Sequence, residues 1–455
     1  MLTLIGLAII ITIVTLLLFE KVIPVIALSA IPFVGALLAG FGISEISEFF
    51  QQGVTKVAGV AFMFMFAILF FSVMKERGLF DPLITGMVKL TRGNVVAVAV
   101  MTALVAACVH LDGAGAATFL IVLPALIPLY RRLGMNPYLM LTLMATSMGL
   151  LNMVPWGGPI GRAAAVTNIS PDELWHGLIP VQLIGVGLAV TGAALLGLRE
   201  KRQIQAAGGV EAAIARHYPP GSSTDIASNG TAAANETSHD SDHEQEPDTR
   251  HGMPRFYWIN AALTLVTVVS LALGLMAPAY IFMLSLSVAL LLNYPSLSAQ
   301  SRVITRYAPQ AFNMGAIIAA AGAFLGILNG TGMLESIALD VTHVLPGQAV
   351  GVLHILVGIM GVPLELLTST DAYYFALLPV IQQITASAGV DPISVAHAMS
   401  IGSIVGTFIS PFSPALWLAL GLAGLEMGRY IRYAFLYLWG FSLIMMVVGY
   451  LFGLY

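Results

Sequence analysis

The helix-breaking residues of this chain occur twice, in the same order and at nearly the same spacing, on either side of a polar stretch. Pro124 aligns with Pro379, Gly134 with Gly389, Pro137 with Pro392 and Pro159 with Pro414, each at an offset of 255. Nearer the start of each half the offset is 254, which pairs Pro24 with Pro278 and Gly78 with Gly332. Plain identity between the halves is low, so the signal lies in breakers and polar clusters that recur inside otherwise apolar segments. Two halves whose hydrophobic segments are interrupted at corresponding points suggest a secondary transporter with its site at the interruptions.

The segments between breakers are of membrane type. Hydrophobic residues make up 58% of the chain and charged residues 9%, against about 25% charged in an ordinary soluble domain. Apolar stretches at 2–19, 24–41 and 59–74 approach the roughly 20 residues that cross about 30 Å of hydrocarbon. The segment 2–19 lacks a basic leader and reads as a first span, not a cleavable signal. The single cysteine, Cys108, excludes an internal disulfide and argues against a Cys-rich metal site. Residues 199–254 are polar and without apolar periodicity, which reads as a disordered connector. Its histidines, His217, His239, His243 and His251, read as solvated side chains and not as a metal site.

Basic residues in short loops mark the cytoplasmic side. The connector is flanked by Arg199, Lys201, Arg202, Arg250 and Arg255 and is placed there. The first half then crosses near 2–19, 24–41, 59–74, 138–166 and 178–198, and the second near 256–274, 277–293, 311–329, 394–425 and 433–453. Segments 94–130 and 348–386 enter and leave on one side, as re-entrant hairpins. The scheme puts 17 of the 19 basic residues on the cytoplasmic side, with Lys56 outside and Arg162 within the membrane. Five crossings per half is an odd number, so the halves are inverted and both termini are extracytoplasmic. The expected fold is an all-α polytopic membrane protein of two inverted-topology repeats, 1–198 and 255–455. Each repeat has about five crossing helices and one re-entrant hairpin, in a bacterial-type inner membrane. Nothing in the chain points to nucleic acid.

Irregular backbone at membrane depth persists only where it is buried in protein or lines a wet cavity. Four stretches qualify: 110–118 and 367–372 at the hairpin turns, and 152–162 and 407–414 within broken spans. Each break frees N–H groups at one half-helix, suited to carboxylates, and carbonyls at the other, suited to cations. Gly113, Gly115, Gly157 and Gly158 permit close backbone approach. Thr118, Ser369, Thr370, Ser410 and Ser413 add hydroxyls, and Asn152 and Trp156 lie in the same stretches. Close helix packing is the competing reading for such small residues. Arg162 is the natural counter-ion of a substrate carboxylate, through its planar fork. Asp112 and Asp371 sit at the two hairpin tips, where a carboxylate suits Mg2+ or Ca2+ or carries a coupling proton; capping of their own turns is the plainer alternative. His110 and Glu365 are rival candidates for the proton.

At these residues the chain resembles the CitMHS family of citrate–metal:proton symporters, in the ion transporter superfamily. The resemblance rests on 109–120 (Val-His-Leu-Asp-Gly-Ala-Gly-Ala-Ala-Thr-Phe-Leu), on 123–135, on 152–159 (Asn-Met-Val-Pro-Trp-Gly-Gly-Pro) and on 367–375 (Leu-Thr-Ser-Thr-Asp-Ala-Tyr-Tyr-Phe). It covers the chain apart from residues 199–254. It implies uptake of citrate or a related tricarboxylate with a divalent cation, Mg2+ or Ca2+, carried as cargo and not as a resident cofactor, and driven by protons. It also implies hairpins facing each other across the site, a homodimer in lipid and an elevator-like movement. Dicarboxylate relatives carry Ser-Asn-Thr at both tips. Here the tips read Asp-Gly-Ala-Gly and Thr-Ser-Thr-Asp, which argues against sodium-coupled dicarboxylate transport. A gluconate-type permease or a proton–cation antiporter remains the alternative. A hydrolase is disfavoured, since no His-Glu-x-x-His helix occurs.

Overall fold

The computed structural model describes residues 1–19, 21–91, 93–218, 256–344 and 347–455. Among them every regular element is helical. The same order of elements appears on each side of the polar connector. Helices Leu2–Leu18 and Pro24–Leu38 are matched by Tyr257–Ala272 and Pro278–Asn293. A 34-residue helix, Ile43–Glu76, is matched by a 34-residue helix, Leu297–Gly330. Short helices Asp81–Leu90 and Met333–Val344 follow, then a hairpin, a broken helix and a closing helix in each half.

The shared breakers explain this correspondence. Gly134 and Gly389 adopt left-handed backbone (φ 66° and 75°) at the ends of the two hairpins, which only glycine does cheaply. Asn136 and Asp391 then accept hydrogen bonds from Tyr138 N–H and Ile393 N–H. Pro137 and Pro392 occupy the first helical turn, where the missing N–H costs nothing.

Among the described residues six helices are long and apolar enough to cross a bilayer, and the bent pair 349–359 and 361–367 makes a seventh if it counts as one span. At 1.5 Å per residue a 34-residue helix is about 51 Å long, more than the hydrocarbon core. The expected span 59–74 is thus only the apolar part of Ile43–Glu76. The two long helices cross at Gly53, Gly322 and Gly326, where a side chain on any of the three would meet the facing backbone. Such small-residue contacts replace the hydrophobic effect as the packing force in lipid.

The first hairpin runs Val95–Val109 and back along Gly115–Arg132. The second enters along Gly347–Ile359 and bends by 66° before Gly361–Leu367. Pro363 cannot donate to the Ile359 carbonyl and collides with it in a regular helix. Trp439 Nε1 donates to that released carbonyl at 2.9 Å, so the bend leaves no orphaned acceptor. The returning limb widens to a π turn over Tyr373–Leu377, just before Pro379. The broken helices are Pro137–Leu151 with Gly158–Thr167, and Pro392–Ser403 with Pro414–Ala423. Pro155 and Pro411 fall inside the two gaps.

The expectation of an unstructured connector from residue 199 is corrected at its start. Helix Pro171–Ala206 continues beyond it, and Val210–His217 is helical. Glu200 accepts the Asn136 N–H at 2.7 Å, Tyr218 O–H donates to the Met135 carbonyl at 3.0 Å, and Ala213 lies over Gly134. These contacts bury Ile204, Ala213 and Tyr218, a gain that hydropathy over a polar stretch does not register. His217 belongs to this helix, and His239, His243 and His251 lie outside the described residues.

Candidate substrate site

All four irregular stretches meet. The tip of the first hairpin is a 3-10 turn, His110–Asp112, followed by left-handed Gly113 (φ 70°). Asp112 Oδ1 accepts the Ala114 N–H at 2.9 Å, and Oδ2 lies 3.5 Å from Lys75 Nζ. The first break holds this tip. His110 Nε2 lies 3.0 Å from Asn152 Oδ1, and Trp156 Nε1 donates to the Leu111 carbonyl at 2.7 Å. Trp156 stacks on Phe71 of the long helix. The second break reaches the same tip through Phe408, whose ring meets His110 and Phe119 edge-on.

His110 is fully buried and both of its ring nitrogens are engaged. With Asn152 Oδ1 accepting, Nε2 carries the hydrogen, and Nδ1 lies 3.0 Å from Thr118 Oγ1, whose one O–H it shares with the Ala114 carbonyl at 3.1 Å. The ring therefore bridges tip and break, which is a structural use. Thr118→Val should leave Nδ1 buried without a donor and cost about 1–3 kcal/mol. Thermal unfolding in detergent reads this as a lowered midpoint, and an unchanged midpoint refutes the bridge.

The second tip is built similarly. Ser369 caps its own turn by accepting the Ala372 N–H at 3.2 Å. Thr370 Oγ1 donates to Glu365 Oε2 at 2.9 Å and lies 3.3 Å from Thr407 Oγ1 of the second break. Ser410 O–H donates to the Thr368 carbonyl at 3.4 Å. Glu365 is fully buried, with Oε1 unpartnered and its stem against Gly406. Asp371 Oδ1 accepts from Arg162 Nε at 2.7 Å, across from the first broken helix. The two side chains are 12% and 18% exposed, so the pair borders accessible space.

Arg162 stands in the second limb of the first broken helix, one turn after Gly158. Gly158 has no Cβ, and one there would lie 2.7 Å from Arg162 Nη1. Phe375 lies beneath the guanidinium carbon at 5.9 Å. Among the described residues the guanidinium makes no hydrogen bond besides that of Nε, which leaves both terminal nitrogens for a ligand.

Several sequence candidates have supporting uses. Gly115 packs against Phe408 and Ala415, Gly113 lies over the Trp156 carbonyl, and Gly157 closes on the Asn152 carbonyl. Ser413 precedes the last limb of the second broken helix without capping it through its side chain. Asp112 and Asp371, read from the sequence as metal or proton-coupling residues, lie one at each hairpin tip. Each carboxylate faces a base, because an uncompensated charge at this depth is expensive. Among the described residues no three His, Cys, Asp or Glu converge on a point. Lys75 was expected at the cytoplasmic surface and is found at the first tip; with partners 37 residues apart, no local signal reveals the contact. A groove lined by Ser29, Phe33, Ile46, Phe50 and Ile327 lies on the long-helix pair, and none of the four polar stretches contributes to it.

Comparison with known proteins identifies the family. The family described as Citrate transporter (CitMHS) matches residues 1–402. A citrate transporter of Bacillus subtilis (strain 168) is 31% identical over 454 residues, covering 100% of this chain and 99% of that protein. The Mg(2+)/citrate complex secondary transporter of the same organism is 31% identical, covering 95% of this chain and 94% of its own. Among solved structures, the YdaH transporter of Alcanivorax borkumensis, reported as having an unusual topology, superposes with a TM-score of 0.55. It shares 16% identity over 90% of each chain and so speaks to fold alone. The chain is an integral membrane transporter, not an enzyme, and belongs to the CitMHS citrate transporter family.

Proposed function

We propose that this protein imports citrate as a complex with a divalent cation, Mg2+ foremost, by symport with protons. The observation that carries the reading is Arg162. It is a guanidinium with two unspent nitrogens on the first broken helix, bonded to the second hairpin tip, in the network of contacts that links both tips and both breaks. A citrate carboxylate is the anion that such a fork fits bidentately. The site's own carboxylates are either paired to bases or buried beside Thr370, so the cation is best supplied already bound to citrate. The name of the Mg(2+)/citrate relative supports that cargo. The proposed arrangement is two inverted halves around residues 199–254, with that segment cytoplasmic and the protein in a bacterial inner membrane, a reading supported by the basic residues of the short loops.

The test is uptake of labelled citrate into proteoliposomes under an inward proton gradient, with and without external Mg2+ or Ca2+. Uptake that needs both cation and gradient is the expected result. Metal-independent uptake would remove the complex as cargo and keep an anion carrier. Gradient-independent uptake would remove the symport.

A further inference from the structure

Arg162 is claimed twice: by Asp371, whose Oδ1 lies 2.7 Å from its Nε, and by the carboxylate of the proposed cargo. We propose that Asp371 is the acceptor of a coupling proton, and that it takes up this proton because the substrate displaces it from Arg162. The inference rests on the proposed proton symport and assigns one step of it to one side chain.

Without substrate, the Nε–Oδ1 contact of 2.7 Å cancels the two charges, and the empty site can reorient without a proton. When a substrate carboxylate takes the guanidinium, Asp371 loses its cation in a mostly buried place. Among the described residues no second base is at hand. The other ionisable groups around it are Glu365, an acid that brings no positive charge, and Tyr373 and Tyr374 of its own limb. Helix Leu2–Leu18, which packs on this tip, carries no ionisable side chain, and Gly158–Thr167 carries only Arg162. The remaining base of the site, Lys75, is held by Asp112 at the other tip. An unpaired carboxylate buried this way costs several kcal/mol, and protonation removes the charge. The proton comes from water on the entry side and adds to the freed carboxylate. On the exit side substrate departure returns Arg162 to Asp371, and the O–H proton leaves to water there. Neither proton nor substrate crosses alone, because either alone leaves one unpaired charge in the site.

Glu365 is the rival acid. Its burial and its bond to Thr370 are set within its own hairpin, and it makes no hydrogen bond to Arg162, so substrate binding breaks no contact of Glu365 itself.

The test is calorimetric binding of Mg–citrate to the full-length protein in detergent, in buffers of different ionisation enthalpy, across pH. Wild type should take up protons on binding, and its affinity should fall by about tenfold per pH unit on the alkaline side for each linked proton. Asp371→Asn should bind Mg–citrate with about one proton fewer and a correspondingly flatter pH profile. Asp371→Glu should restore the proton, which a merely structural side chain would not do. Equal proton uptake by wild type and Asp371→Asn overturns the assignment and leaves the citrate symporter standing. Loss of the proton in Glu365→Gln but not in Asp371→Asn overturns it in favour of the rival. Wild-type binding with no proton uptake removes the symport reading and the assignment together.

Discussion

Arg162→Gln is expected to abolish saturable citrate uptake, weakening binding by about 100-fold or more, while the protein still inserts and remains folded. The size follows from removing a charge-assisted, two-pronged contact in a site screened from water, where breaking one side of a buried charged pair costs about 3–5 kcal/mol. Glutamine keeps a single N–H2 donor at about the place of Nε but loses the charge, the fork and the reach of the terminal nitrogens. Arg162→Lys should recover little, because an ammonium reaches one carboxylate oxygen at a time. Equilibrium binding of labelled citrate to purified protein reads the outcome. Affinity within a few-fold of wild type in Arg162→Gln would remove the substrate assignment, since a proton–cation antiporter is the carrier that tolerates this change.

The second large effect concerns how the second hairpin is seated. Gly358 and Gly361 of the hairpin lie directly against Gly402 of the broken helix, backbone on backbone. A Cβ on Gly402 would run into the Gly358 carbonyl, and neither neighbour is a flexible side chain that can step aside. Gly402→Val should therefore lift the hairpin off its seat, separating Thr370 from Thr407 and Ser410 from Thr368. Overpacking of this kind costs about 1–3 kcal/mol or more. The expected result is a lower unfolding midpoint together with loss of uptake. Gly421, whose Cβ would meet nothing within 4 Å, should accept alanine with both properties intact. A wild-type midpoint in Gly402→Val would mean that the seat is not rigid.

Much of this organisation was legible because prolines and glycines act locally. A proline removes its own donor and crowds one carbonyl wherever it stands, so Pro155 and Pro411, set among glycines and hydroxyls, mark interruptions, whereas Pro32, Pro124, Pro180 and Pro309 stand inside continuous helices. The four polar stretches recognised in the sequence are the four that meet. Their partners were not legible. Arg162 to Asp371 spans 209 positions and Lys75 to Asp112 spans 37, and composition cannot tell which acid faces which base. The sequence therefore treated Arg162 and Asp371 as separate candidates, although they hold each other. The first long helix was read short because Glu45, Glu48, Gln51, Gln52 and Lys56 dilute hydropathy without breaking a helix. Val210–His217 was missed because its burial comes from the turn at Gly134 and not from its own pattern.

The repeated architecture carries a chemistry that is present only once. Both bases of the site, Lys75 and Arg162, come from the first half, and the aligned positions in the second are Asn329 and Trp417. The element order is shared by the two halves, and the charge stands in one of them. If the carrier exposes its site to alternate sides by exchanging the conformations of its halves, the two exposed sites are not mirror images. Citrate then meets different surroundings on entering and on leaving, and half-saturation for influx and for efflux should differ in a membrane with no gradients.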